Sequence, residues 1–324
     1  MILTGDWHLD DAPTNEYRWQ VFDVLAKIYK DKPFTRLYHV GDISDRKDRH
    51  SSILVNRLVK ELNKLLDLGI NIFILIGNHD LPLNGPPFWQ FLNSMDIVVA
   101  TKPLAIDRLL LLPYAANPVE EWRGIPLFRY RAIFMHQTVT GVVADNGTIL
   151  QNDKMPVFPR GIKIYSGDIH TPQVIGAVTY VGAPHHVKFG DKYLCRMLRL
   201  DDDYKIIEEI KLTSPTKHMI DVASVEELES FSTHRGDQAR IRFELPLEDA
   251  ERWPAIQDQV ASWASKRGVM LASVEASIDM PQTKAQQVSF EMTDPEEILK
   301  LFAETEGIDG SMLAAGLALL KELE

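Results

Sequence analysis

One cysteine, Cys195, is the whole thiol content of the 324-residue chain. That excludes a disulfide within the chain and a thiolate cluster for zinc. Long apolar runs are missing too: none reaches the roughly 18 residues of a membrane-spanning helix. Asp6 stands where the apolar core of a cleaved leader would lie, so the expected location is cytoplasmic. A basic excess is also lacking, because the net charge is −11. Taken alone, that charge speaks against a nucleic-acid substrate. Its distribution does not. Residues 1–200 hold 23 Lys and Arg against 20 Asp and Glu, and residues 201–324 hold 12 against 26. The acidity belongs to the C-terminal third, so whole-chain charge is a poor guide to whether the N-terminal part tolerates a phosphate backbone.

What is present is an alternation of short apolar runs and amphipathic stretches. Met1–Leu3, Leu37–Val40 and Ile70–Ile76 have the length and composition of buried strands. Between them, Glu16–Lys30 and Ser51–Leu68 carry helical spacing. Further strands are expected at Ala132–Met135, Lys163–Tyr165, Ala177–Val181, Tyr193–Leu200 and Lys205–Lys211. Residues 137–161 show little periodicity and are expected to form a long loop. This order predicts an α/β fold, a two-sheet sandwich flanked by helices, over residues 1–213. After Ser214-Pro215 the pattern changes to a small α+β unit over 214–281. A Pro- and Gln-rich linker then leads into a C-terminal helical region, 282–324.

The chemistry-bearing residues follow the apolar runs. Asp6 and His8 follow the first, Asp42 the second, and Asn78 and His79 the third. His136 follows Phe134, and Asp168 and His170 follow Tyr165. In α/β folds, loops at strand C-termini converge on one edge of the sheet. Oxygen donors mixed with imidazoles suit Mn²⁺, Fe or Zn²⁺ better than Ca²⁺. A pair of metals needs one bridging ligand, and the carboxylate of Asp42 is the natural choice. Glycines at 5, 41, 77 and 167 precede the acidic or amide residues and are expected to permit tight turns.

Gly-Asp-Trp-His-Leu at 5–9, Gly-Asp-Ile-Ser-Asp at 41–45, Gly-Asn-His-Asp at 77–80, His136 and Gly-Asp-Ile-His at 167–170 form an ordered set. The set resembles the five motifs of the calcineurin-like metallophosphoesterases. Within them the chain is most similar to the SbcD-type nuclease subunits, and its compact size resembles phage-encoded members. Gly182-Ala183-Pro184 and Phe189-Gly190-Asp191 support that branch, as does an α+β unit where those nucleases carry a capping domain. The resemblance covers roughly residues 1–212 well and the rest in outline.

It implies one metal held by Asp6, His8, Asp42 and His170, and a second by Asp42, Asn78, His136 and Asp168. His79 would contact the scissile phosphate, with Asp80 orienting its ring. Asp168 departs from the family's Gly-His-x-His: as a direct ligand it adds a third carboxylate and shifts the expected ions toward Mn²⁺, with Mg²⁺ as the second choice, whereas reaching the ion only through water would weaken the second site. The implied activity is a DNA exo- and endonuclease. It would work as a homodimer with an SbcC-like coiled-coil ATPase in recombination and double-strand-break processing, inside a bacterial cell. Two other functions stay open: a small-molecule or cyclic-nucleotide phosphodiesterase on the same core, and a non-catalytic DNA-end scaffold.

Arg46, Lys47 and Arg49 stand close to the second motif as candidate DNA contacts, although such runs usually form solvated faces. His185 and His186 are candidates to line the cleft. Phe88, Trp89, Phe91, Leu92 and Met95 serve either a dimer interface or the core. Met312, Leu313, Leu317, Leu319, Leu320 and Leu323 serve either ATPase docking or local packing.

Overall fold

The computed structural model describes residues 1–47, 49–144, 147–246, 251–279, 295–308, 310, 312–314 and 317. The strands are β1 (Ile2–Thr4), β2 (Arg36–His39), β3 (Asn71–Leu75), β4 (Val98–Ala100) and β5 (Leu104–Ile106). Next come β6 (Leu109–Leu112), β7 (Ala132–His136), β8 (Lys163–Gly167), β9 (Gln173–Ile175) and β10 (Val178–Tyr180). The last five are β11 (Arg196–Leu200), β12 (Ile206–Lys211), β13 (Lys217–Val222), β14 (Gln238–Pro246) and β15 (Met270–Asp279).

They form two six-stranded mixed sheets and one three-stranded sheet. The first sheet runs β12-β11-β1-β2-β3-β4, with β1 to β4 parallel and the β11–β12 pair added antiparallel. The second runs β5-β6-β7-β8-β10-β9, parallel in its middle and antiparallel at both edges. Leu3, Tyr38, Val40 and Leu75 from the first sheet pack against Leu109, Leu111, Phe134 and Tyr165 from the second. This apolar layer makes the sandwich.

Helices cover the outer face of the first sheet. The helix Ser52–Asp67 starts where the Ser51 hydroxyl accepts the Leu54 N–H at 3.1 Å. Its Leu54, Leu58, Leu62 and Leu65 form one buried stripe. The expected helix from Glu16 begins instead as a 3₁₀ segment, Pro13–Trp19, and turns α-helical over Gln20–Asp31. Strands β4, β5, β6 and β9 were not expected. Three of them have three residues each, too few to show a period. The fourth is Leu-Leu-Leu-Leu, which fits a buried helix equally well. Residues 137–161 hold no helix and one bridge, Val143 with Ile149, among the described residues.

The third sheet, β13-β14-β15, is parallel throughout, and the helix Trp253–Arg267 makes the second crossover. It has an apolar cluster of its own around Ile241, Phe243, Val260 and Trp263. A helix, Pro295–Glu306, follows. Leu319, Leu320 and Leu323 lie outside the described residues. No described helix is long and apolar enough to cross a membrane.

Phe134 is fully buried between the sheets and touches Tyr38 and Tyr165 edge-on. Phe134→Ala is expected to lose about 3–5 kcal/mol of stability. Urea unfolding checks this, with a lowered midpoint at unchanged slope.

Candidate metal centre

Strands β1, β2, β3 and β8 deliver candidate ligands just past their last residues and β7 delivers His136 as its last residue, and their C-terminal ends meet at one edge of the sandwich. The backbone there is unusual. Asp6, His8, Asp42 and Asp168 have φ of 53°, 44°, 59° and 80°. Side chains rarely adopt this left-handed region, and such strain clusters at functional sites. Of the four glycines expected to serve turns, only Gly41 has a positive φ. Gly77 is needed for space instead, because a Cβ there would sit 2.1 Å from Asp42 Oδ1.

The side chains converge in two groups that share Asp42. In the first, His8 Nε2 lies 3.1 Å from His170 Nε2 and 3.5 Å from Asp42 Oδ2. Asp6 closes this group: it, His8 and His170 each offer a donor atom within 4.8 Å of the others. In the second, His136 Nδ1 lies 2.7 Å from the Val40 carbonyl. A carbonyl can only accept, so Nδ1 carries the proton and neutral His136 turns a lone pair outward from Nε2. That nitrogen faces Asn78 Oδ1 at 3.1 Å, Asp42 Oδ1 at 3.4 Å and Asp168 Oδ1 at 3.8 Å. Asp6 Oδ2 is buried and accepts no hydrogen bond among the described residues.

The electrostatics report the same crowding. Burial disfavours charge on His136, but Asp42, Asp168 and Asp6 outweigh it and hold the pKa well above the ordinary imidazole range. Burial pushes Asp6 up to about 6 and His8 down to about 4. Burial also opposes charge on Asp42, yet His136 and His8 keep it well below the usual carboxylate range. Carboxylates, an amide oxygen and imidazole lone pairs aimed at one another fit two divalent cations.

His79 adjoins the first group: it, His8 and Asp42 each offer a donor atom within 4.8 Å of the others, and its backbone N–H donates to Asp42 Oδ1 at 2.9 Å. Its Nδ1 lies 2.7 Å from the Asp45 carbonyl, so the ring donates there and leaves Nε2 free to act. Its ring stands edge-on to His8 at 4.8 Å between centroids. Asp80 does not orient this ring, contrary to expectation. It is fully buried and accepts the N–H groups of Asp42, Gly77, Ile43 and Ser44 at 2.8, 2.9, 3.0 and 3.5 Å. Asp80 thus ties the second motif loop to the third.

The cleft above the ligands has a volume of about 650 Å³. His8, Asp42, Asn78, His79, Asp168 and His170 line it, while Asp6 and His136 form its buried floor. Several sequence candidates lie elsewhere. Arg46 and Arg49 line a neighbouring cavity beside His50 and Phe88, and Lys47 is an exposed residue that lines neither cavity. His185 is buried, with Nε2 at 2.7 Å from the Trp7 carbonyl. His186 places its two ring nitrogens at 3.1 Å from the carbonyls of Pro215 and Tyr193. Both histidines brace the chain rather than line the cleft. Tyr114 stands edge-on to His136, and Trp122 is core.

Three supporting residues escaped the sequence reading. Asp45, inside the second motif, stands 3.5 Å from His8 Nδ1 through its carboxylate and holds His79 through its carbonyl. Arg18 is buried and donates to the carbonyls of His8 and Val187 and to Asp10. Thr138 donates its hydroxyl to Asp168 Oδ2, which leaves Oδ1 turned toward His136. Thr138 carries no spacing signal, because its partner is 30 residues away.

The model of the calcineurin-like phosphoesterase family matches residues 1–207. The chain belongs to this family. The family uses divalent metals, and the clustered His and Asp donors here could hold them. No curated protein shows significant similarity to the chain. Among solved structures, the nuclease MPE of Pseudomonas putida is similar at 14% identity and a TM-score of 0.32, covering 65% of this chain and 70% of that one.

Asp80→Asn would set an amide NH₂ against N–H groups that now have an acceptor. The expected loss is about 2–3 kcal/mol, read by urea unfolding, together with weakened metal binding. Gly77→Ala is expected to displace the Asp42 carboxylate and abolish binding of at least one ion, read by elemental analysis of the dialysed protein.

Proposed function

We propose that the protein is a two-metal phosphodiesterase that cleaves DNA strands. The observation that carries this reading is the make-up of the cleft. Its floor is the acceptor cluster, and its lining includes the buried cations Arg18 and Lys217 and the exposed Lys188 and Arg240. A phosphodiester charge thus meets cations from both sides, although the chain as a whole is acidic.

Asp6, His8, Asp42 and His170 would hold one ion, and Asp42, Asn78, His136 and Asp168 the other. Asp42 suits the bridging role, since Oδ2 faces His8 while Oδ1 faces His136. Bound divalent ions supply Lewis-acid neutralisation of charge at the phosphate. With three carboxylates in the donor set, Mn²⁺ is the proposed ion and Mg²⁺ the next. His79 fixes the phosphate through Nε2 and, when protonated, gives that proton to the departing oxygen. Its Nδ1 contact with the Asp45 carbonyl holds the ring in the required orientation.

The proposal extends to the SbcD-type role, with a homodimer and an SbcC-like ATPase partner. The aromatic cluster after the third motif divides: Trp89 and Leu92 are fully buried, while Phe88 and Phe91 are 41% and 40% exposed and open to a second copy. Ile298, Phe302 and Met312 present apolar surface suited to a coiled-coil partner. The domain scheme expected from sequence, with its capping unit at 214–281, belongs to the same proposal.

The test is cleavage of single- and double-stranded DNA with Mn²⁺, compared with bis-p-nitrophenyl phosphate. The wild type is expected to cleave both. Hydrolysis of the small ester with DNA left intact would overturn the nuclease reading. His79→Ala is expected to lower kcat by about 100- to 10,000-fold while two ions stay bound.

A further inference from the structure

We propose that Arg240, stacked on Phe189 with Lys217 behind them, binds a phosphate of the nucleic-acid strand adjacent to the scissile one. This rests on the nuclease reading above and names the substrate feature that sets a polymer apart from a small ester.

The two walls of the cleft come from different parts of the chain. The metal ligands come from the sandwich, whereas Lys217, Met219, Gln238, Arg240 and Ala272 come from the third sheet. Arg240 is exposed on β14, and its guanidinium carbon lies 4.4 Å from the centre of the Phe189 ring. No carboxylate pairs with it among the described residues. Asp42, Asp45 and Asp168 line the same cavity and would attract a free arginine. The stack on Phe189 holds the planar fork at the rim instead, with its donors directed along its edges. Little side-chain freedom then remains to be lost on binding.

Phe189 is itself fixed. The Asp191 carboxylate accepts the N–H groups of Val187 and Lys188 at 2.8 and 2.7 Å, and Gly190 N–H donates to the Lys217 carbonyl at 2.7 Å. Lys217 is buried, and its ammonium reaches two neutral acceptors, Asn15 Oδ1 at 3.0 Å and the Val187 carbonyl at 3.2 Å. It lies 5.2 Å from the Phe189 ring centre, on a ring that Arg240 also contacts. Two cations thus meet on one aromatic ring, neither with a carboxylate in ion-pair contact among the described residues. One scissile phosphate is served by the cluster. The rim charge calls for a second anion, and the next phosphate of a strand supplies it at a fixed spacing.

The experiment compares wild type, Arg240→Ala, Arg240→Lys and Phe189→Ala on a single-stranded oligonucleotide and on bis-p-nitrophenyl phosphate, both with Mn²⁺. Arg240 is exposed, so its variants are expected to fold. The expected result for Arg240→Ala is an oligonucleotide KM raised by about ten-fold or more, with any loss on the small ester at least several-fold smaller. The slope of log KM against log salt should fall by about 0.7, the value of one phosphate contact on a single strand. Arg240→Lys keeps the charge without the planar stack and should fall between. Equal losses on both substrates, or an unchanged salt slope, would overturn the assignment. If the wild type cleaves the oligonucleotide and Arg240→Ala matches it, the second phosphate position fails and the nuclease reading stands. If the wild type cleaves only the small ester, the nuclease reading fails and takes the second position with it.

Discussion

Lone pairs that point at one another without a proton or cation between them repel. Around Asp42 this arrangement is built into the fold. One carboxylate oxygen turns to His8 and the other to His136, whose outward nitrogen also faces Asn78 and Asp168. The Val40 carbonyl fixes that orientation by taking the only proton of neutral His136 on its far side. Burial opposes charge on His136, yet the carboxylates of Asp42, Asp168 and Asp6 crowd it enough to raise its pKa. The remaining features of the site serve to hold this arrangement in place.

Holding it needs rigid support, because Asp6, His8, Asp42 and Asp168 adopt left-handed backbone, a conformation that costs about 1–3 kcal/mol per residue. The sandwich core supplies that support through Tyr38, Phe134 and Tyr165, packed just behind the ligand-bearing strand ends. Asp80 then locks two motif loops together through four backbone N–H groups, and Arg18 grips the His8 carbonyl from below. Lys217 and Gln238 of the third sheet reach Asn15 and Thr14 in the segment that carries Arg18. The third sheet and the candidate metal site therefore share one supporting strut.

Much of this was legible in the sequence. Strand ends followed by Asp, Asn and His pointed to the side chains that cluster, because a parallel sheet collects such ends on one edge. The two-sheet sandwich followed from the alternation of short apolar runs with amphipathic helices. The misses share a physical cause. Asp80 lies beside His79 in sequence, but its carboxylate turns to backbone donors 36 to 38 residues away. His185 and His186 resemble site histidines until their carbonyl partners are seen. Arg46 and Arg49 follow a motif loop yet point into the next cavity. Arg240 could not be singled out, since its importance depends on a stack with a residue 51 positions earlier. Residue type and strand position survive in a linear pattern; side-chain direction and cross-domain contact do not.

The most direct test of the central claim is the stoichiometry of metal binding. Protein stripped with chelator and titrated with Mn²⁺ should bind two ions per chain, and Asp42→Ala should weaken both together because both groups share that residue. A wild type that binds one ion or none, or an Asp42→Ala chain that still binds two, would contradict the account.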